Sequence, residues 1–149
     1  IDAPAIDAEL QRDPTAAGHR NAALAGAARP QLPVKDQAWT QVIEDDTLAN
    51  ITARSVIAGI VQPGQAELLA PFTARYFADI PGVWARRSSE VAQTVVVGLY
   101  PAWDVTAAGI AAAETFLADP QLPPPLRRLV TEGKAGVERA LRARTFDAG

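Results

Sequence analysis

Residues 56–77, VIAGIVQPGQAELLAPFTARYF, are replayed in order by residues 95–117, VVVGLYPAWDVTAAGIAAAETFL. Both stretches read as the end of one helix, a short break and a second amphipathic helix. Gly59 and Gly98 are the matching landmarks, 39 positions apart. This repetition constrains the fold more than any other feature of the chain. A pair of amphipathic helices has no way to cover its own apolar stripe, so a chain that repeats the pair stacks each copy on the next. Two-helix units of about 40–47 residues mark HEAT-type arrays, and the observed spacing falls at the edge of that range. Fainter echoes run from Gly26 to Gly59, 33 positions, and from Gly98 to Gly133, 35 positions.

Helix signals fill the rest of the chain. Asp2 is placed to cap a first helix carrying Ile6 and Leu10, and Pro14–Thr15 opens a second that Pro30 closes. A third carries Trp39, Val42 and Ile43 on one face. Asp46 is the expected N-cap of the next, whose stripe runs Leu48, Ile51, Thr52, Ser55, Val56, Gly59 and Ile60. The run QPGQ (62–65) breaks the chain because proline lacks a donor and glycine tolerates positive φ. Leu68, Leu69, Phe72 and Tyr76 share the following face. A second break is expected at DIPGVW, with Pro81 in the first turn of a helix striped by Trp84, Ser88, Val91, Val95 and Leu99. Asp104 is then expected to cap the helix of Val105, Gly109, Ala112 and Phe116. After the extended connector PQLPPP, the last helix carries Leu126, Leu129, Val130, Gly133, Val137 and Leu141. The expected fold is all-α: a HEAT-like α-solenoid of about eight helices in antiparallel pairs, in a single domain over residues 1–149. A generic helical bundle is the alternative.

The chain has 149 residues, 48% of them hydrophobic and 21% charged, enough to bury a core without staples. With no cysteine there is no disulfide framework and no thiolate nucleophile or metal ligand, which suits a reducing, cytoplasmic setting. A formal net charge of −3 argues against a nucleic-acid partner. No apolar run long enough for a membrane span is present. The chain opens at Ile1 and contains no methionine, so it reads as a piece of something longer. Twelve of its fourteen basic residues are arginine, consistent with GC-rich bacterial coding.

Catalytic constellations are absent from this text. His19 is the only imidazole, so no pair of histidines can ligate a metal, and no Gly-x-Ser-x-Gly elbow or phosphate-cradling glycine loop occurs. Glu44, Asp45 and Asp46 read as a helix-ending loop rather than an acid/base pair. The functional candidates are Arg86 and Arg87 in WARRSSE, which could meet a peptide carboxylate bidentately; the alternative is a solvated face or a packing salt bridge, with Arg86–Glu90 as an i, i+4 pair. Arg127, Arg128, Lys134, Arg139, Arg142 and Arg144 read as the outer face of a terminal helix.

Three stretches, VIEDDTLAN (42–50), SVIAGIVQPGQAELLAPFTARYFADIPGVWARRSSEVAQTVVVGLYP (55–101) and PPPLRRLVTEGKAGVERALRAR (123–144), together with the opening IDAELQRDPTAAGHRNAALAGAARP (6–30), resemble the C-terminal helical domain of bacterial zinc-dependent aminopeptidase N. The resemblance spans essentially the whole chain and rests on packing and turn sequences, not on catalytic motifs. It implies a HEAT-like fold and a parent peptidase that removes N-terminal residues from peptides. The parent's zinc would sit in a separate catalytic domain, on a His-Glu-x-x-His helix with a Gly-x-Met-Glu-Asn stretch nearby. None of those motifs is in this sequence, so no catalytic or metal residue is assigned here. What the resemblance implies for this piece is a wall that packs on the parent's own catalytic domain, caps the active-site cavity and meets the peptide substrate. The rival reading is a freestanding α-solenoid that binds a protein partner.

Overall fold

The computed structural model describes all of residues 1–149 as nine helices and no strand. They are α1 (Ala3–Arg12), α2 (Ala16–Ala28), α3 (Leu32–Glu44), α4 (Asn50–Ile60), the single turn α5 (Ala66–Leu69), α6 (Phe72–Arg86), α7 (Ser89–Gly98), α8 (Ala107–Leu117) and α9 (Pro124–Ala148). The packing order is that of a solenoid. Pairs form between α1 and α2, α3 and α4, α6 and α7, and α8 and α9. The first members α3, α6 and α8 touch in succession as one layer, and the second members α2, α4, α7 and α9 as another. The all-α solenoid expected from the repeat is the architecture found, with one helix more than expected.

The two layers use different spacers. In the second layer the landmark glycines let neighbouring helices close in: a Cβ on Gly59 would lie 2.4 Å from the Leu24 carbonyl oxygen of α2, and one on Gly98 would lie 2.8 Å from the Ile57 side-chain Cγ2 of α4. Aromatic rings fill the first layer and the space between layers. Trp39 packs on Phe72 with centroids 5.1 Å apart, Tyr76 on Tyr100 at 5.4 Å, and Phe77 on Phe116 at 5.5 Å. Bulky rings thus space the helices of the first layer, whereas glycines bring those of the second close together. Trp39, Tyr76, Phe72, Ile60, Leu69, Ile80 and Leu99 are the large side chains at the centre of the core.

Basic side chains tie the helix ends together. Lys35, fully buried, donates from Nζ to the carbonyl oxygens of Ala27 (2.8 Å), Gly59 (2.9 Å) and Ile60 (3.1 Å), at the C-termini of α2 and α4. The sequence explains why these carbonyls need it. Pro30 removes the i+3 amide for Ala27 and Pro63 removes the i+4 amide for Gly59 and the i+3 amide for Ile60, while Gln31 N turns to Arg29 O instead. No backbone N–H outside the helices reaches the three oxygens. A tetrahedral ammonium has one donor for each, a fit the planar arginine fork lacks. Arg127 does the same at α8, donating to the carbonyls of Leu117 and Asp119.

Several local expectations are corrected. Helix α6 runs straight through Pro81: its stripe of Phe72, Tyr76, Ile80 and Val83 is buried on both sides of the proline, which itself faces solvent. The break lies instead at Arg87–Ser88, where the Ser88 side chain caps α7 by accepting from Val91 N. Helix α4 starts at Asn50, four residues after Asp46, which is not its cap. Helix α8 is capped by Thr106, not Asp104. Asp104 supports the cap: its Oδ1 accepts from Thr106 Oγ1 at 2.6 Å and its Oδ2 from Thr73 Oγ1 at 2.9 Å. The same Asp-x-Thr-Ala-Ala-Gly order opens α2 at Asp13–Gly18, where Thr15 caps and its hydroxyl donates to Asp13. Asp2 caps α1, as expected.

Candidate functional site

The glycines that draw the second layer together also hollow its surface. One hollow of about 500 Å³ lies between α4 and α7, with apolar lining from Ile57, Ala58, Val61 and Val97 and polar lining from Arg54, Glu90, Gln93 and Thr94. A second, of about 550 Å³, lies between the 61–66 turn, the end of α7 and the C-terminal half of α9. Leu69, Tyr100, Trp103, Val137 and Arg144 line it, with Gly133 and Gly136 leaving room on α9. Gly133 carries the Tyr100 ring directly on its backbone; a Cβ there would fall 2.5 Å from Tyr100 Cδ2. Val61, Val97 and Gly98 belong to both hollows, so the two form one trough along the second layer. Val97, at 60% exposure, is a large apolar side chain left open in that trough.

The trough suits binding rather than bond-making. Burial, reinforced by the Glu138 charge, pushes the Tyr100 hydroxyl up to about 12, so it stays a neutral donor at ordinary pH. Neither hollow is lined by a histidine or by a pair of carboxylates, and His19 sits exposed on α2. No three His, Asp or Glu side chains anywhere in the chain converge enough to hold a metal ion. What the lining offers is apolar contact with a few hydrogen-bonding groups at its edge, suited to an extended segment or to a neighbouring surface.

Arg86 and Arg87 lie elsewhere, at the end of α6 against the α3–α4 loop, and line neither hollow. Arg86 Nη2 donates to the Ile43 carbonyl at 2.9 Å. Arg87 donates to Asp45 O and Leu48 O, both at 2.9 Å. Asp46 sits between the two guanidiniums, with Oδ1 at 3.6 Å from Arg86 Nε and 4.0 Å from Arg87 Nε. The Arg87 side chain is 4% exposed and that of Arg86 46%. The pair staples the loop to α6, and Glu90 accepts from Asn50 instead of facing Arg86. In the same loop Asp45 accepts from the hydroxyl and amide of Thr47, which holds its carboxyl below the usual carboxylate range. The acidic run is thus a structured loop. Neither the trough nor the role of Lys35 is marked by a motif; the one sequence signal for Lys35 is that it is one of only two lysines in the chain.

Fold and surface together define a class: a helical-repeat domain with an apolar trough along one of its two layers. Residues 2–139 match the family described as ERAP1-like C-terminal domain, and the chain belongs to that family. It is 50% identical over 143 residues to aminopeptidase N of Streptomyces lividans. That alignment takes in 96% of this chain and 17% of the relative, so the chain spans about a sixth of the relative's length.

Proposed function

We propose that this chain is the non-catalytic C-terminal domain of a bacterial, cytoplasmic, zinc-dependent aminopeptidase, and that it packs on the catalytic domain, caps the active-site cavity and decides which peptides enter. The observation that carries the reading is the 50% identity to an aminopeptidase N across nearly the whole chain. A slab of stacked helices with an apolar trough along one layer suits the role, because such a wall excludes folded proteins, limits water at the reacting centre and can gate entry by domain motion. The residues present do not fit a zinc ion, so the metal and the general base are assigned to the parent outside this chain.

Peptide contact by Arg86 is part of the same proposal. Its guanidinium presents surface, whereas Arg87 would act only through the loop it holds. The isolated chain is expected to release no aminoacyl reporter with or without added zinc. Metal-dependent release at a rate that tracks the concentration of the pure 149-residue chain would end the non-catalytic reading. In the parent, Arg86→Ala should raise KM for peptides of several residues while leaving a single-residue reporter unchanged; equal KM for both would remove the Arg86 contact.

A further inference from the structure

The trough differs in sign from the chain that forms it. Its lining holds Arg54 of α4, Arg144 of α9 and a single carboxylate, Glu90 of α7, in a chain whose formal net charge is −3. Glu90 already accepts from Asn50 Nδ2 at 2.9 Å, and Glu138, whose charge acts on Tyr100, is held by Lys134 at 3.4 Å. Arg54 and Arg144 are exposed and take no part in the chain's ion pairs, which engage Arg75, Arg86, Arg87, Arg128 and Lys134 among others. An arginine without an internal partner keeps its fork of donors for a group that enters from outside. Between the two arginines lie Val61 and Val97, the apolar residues that both hollows share.

We propose that the trough selects peptides by charge: it favours those that lay an apolar side chain on Val61 and Val97 and carry aspartate or glutamate on either side, one carboxylate meeting Arg54 and the other Arg144. The inference rests on the peptide-access reading above and adds the class of substrate to it. Arg54 stands seven residues before Val61, almost all of that stretch within α4. That is about 10 Å along a helix axis, which an extended peptide covers in about three residues. An acidic side chain about three residues from the apolar anchor therefore comes within reach of Arg54. The apolar walls focus the field of the two guanidiniums along the trough, so the same charges also steer acidic peptides toward it.

The test uses the parent peptidase and two peptides of equal length with the same first residues, one carrying glutamate and its twin glutamine on both sides of a leucine. Each exposed arginine–carboxylate pair supplies up to about fivefold, so kcat/KM for the Glu peptide should exceed that of its twin by about fivefold or more at low salt. Raising the salt should close the gap. Arg54→Gln with Arg144→Gln should bring the Glu peptide down to the level of its twin, with Tm shifted by no more than about 1 °C because both residues are exposed. Arg54→Glu with Arg144→Glu should turn the preference toward a peptide with lysine at the same positions. A gap that survives the glutamine double variant would overturn the proposal. Equal kcat/KM for the twins in the unsubstituted enzyme would overturn it as well, and Val97→Arg then separates two causes. If Val97→Arg still lowers kcat/KM for the Gln peptide, the trough meets peptide without reading its charge. If it changes nothing, the peptide-access reading fails too.

Discussion

Replacing Lys35 by methionine keeps the length and the apolar stem of the side chain but removes every donor to Ala27 O, Gly59 O and Ile60 O. Each buried carbonyl left without a partner costs about 2 kcal/mol, so the three together cost about 6. Part of this is recovered. Burial lowers the Lys35 pKa from 10.5 to about 8, so holding the ammonium inside costs about 3 kcal/mol that methionine avoids. The net loss is about 3 kcal/mol, a fall in Tm of about 6–12 °C for a chain of this size.

The pH dependence has a definite sign. With the folded pKa near 8 and the unfolded one at 10.5, the unfolded chain binds more protons between those values. Stability relative to Lys35→Met is therefore flat below pH 8 and rises through that window, by up to about 3 kcal/mol. Urea unfolding of both proteins at pH 7, 8, 9 and 10.5 reads the whole curve. Equal stability at pH 7, or a gap that narrows as pH rises, would refute the reasoning: the first would mean that the carbonyls are satisfied by water, the second that they hold the ammonium more tightly than burial disfavours it.

Two glycine substitutions should act in opposite directions. Gly59→Ala sets a methyl 2.4 Å from Leu24 O and 2.6 Å from Ala27 Cβ, so α2 and α4 must part and stability falls by about 2 kcal/mol, whereas a Cβ on Gly26 meets nothing within 4 Å and the higher helix propensity of alanine adds about 0.5–1 kcal/mol. Thermal unfolding of the pair separates them, and a shared sign would contradict the layer geometry. Arg87→Ala removes two hydrogen bonds to the α3–α4 loop from a buried guanidinium and should cost about 2–3 kcal/mol, while Arg86→Ala, half exposed, should cost about 1 kcal/mol or less. Hydrogen exchange at Asp45–Leu48 should speed up far more in the Arg87 variant. Thr106→Ala deletes the cap that accepts from Gly109 N and should cost about 1 kcal/mol in denaturant unfolding; no change would show that Asp104 takes over the cap.

The architecture was legible because it follows from period. Gly59 and Gly98 recur at the same point of successive second-layer helices, where each must let its predecessor approach, and that requirement writes itself into sequence. The turn at 62–65 was legible because its causes are local: Pro63 has no donor and Gly64 adopts φ +78°. Boundaries decided by packing were not. Pro81 reads as a stop, yet the gain from burying Phe72, Tyr76, Ile80 and Val83 along one continuous stripe outweighs a kink cost of about 3 kcal/mol. Asp46 and Asp104 look like caps as readily as Thr106 does, and only their tertiary partners, Arg86 and Arg87 for one and Thr73 for the other, divert them. The Asp-x-Thr-Ala-Ala-Gly order recurs 91 positions apart, at Asp13 and Asp104, a separation the 39-residue spacing of the glycine landmarks does not mark. The trough was not readable at all: Val61, Val97 and Arg144 meet only after three repeats have stacked.

The decisive measurement is the dependence of hydrolysis on peptide length in a parent peptidase carrying Val97→Arg. Val97 is exposed and joins both hollows, so the change places a charge in the middle of the trough with little effect on folding. For a domain that walls the cavity, kcat/KM should fall about tenfold or more for peptides long enough to reach the trough and stay unchanged for a single-residue reporter. Identical kcat/KM at every length would contradict a role for this surface in peptide access, and an equal loss at every length would move its influence to the catalytic centre instead.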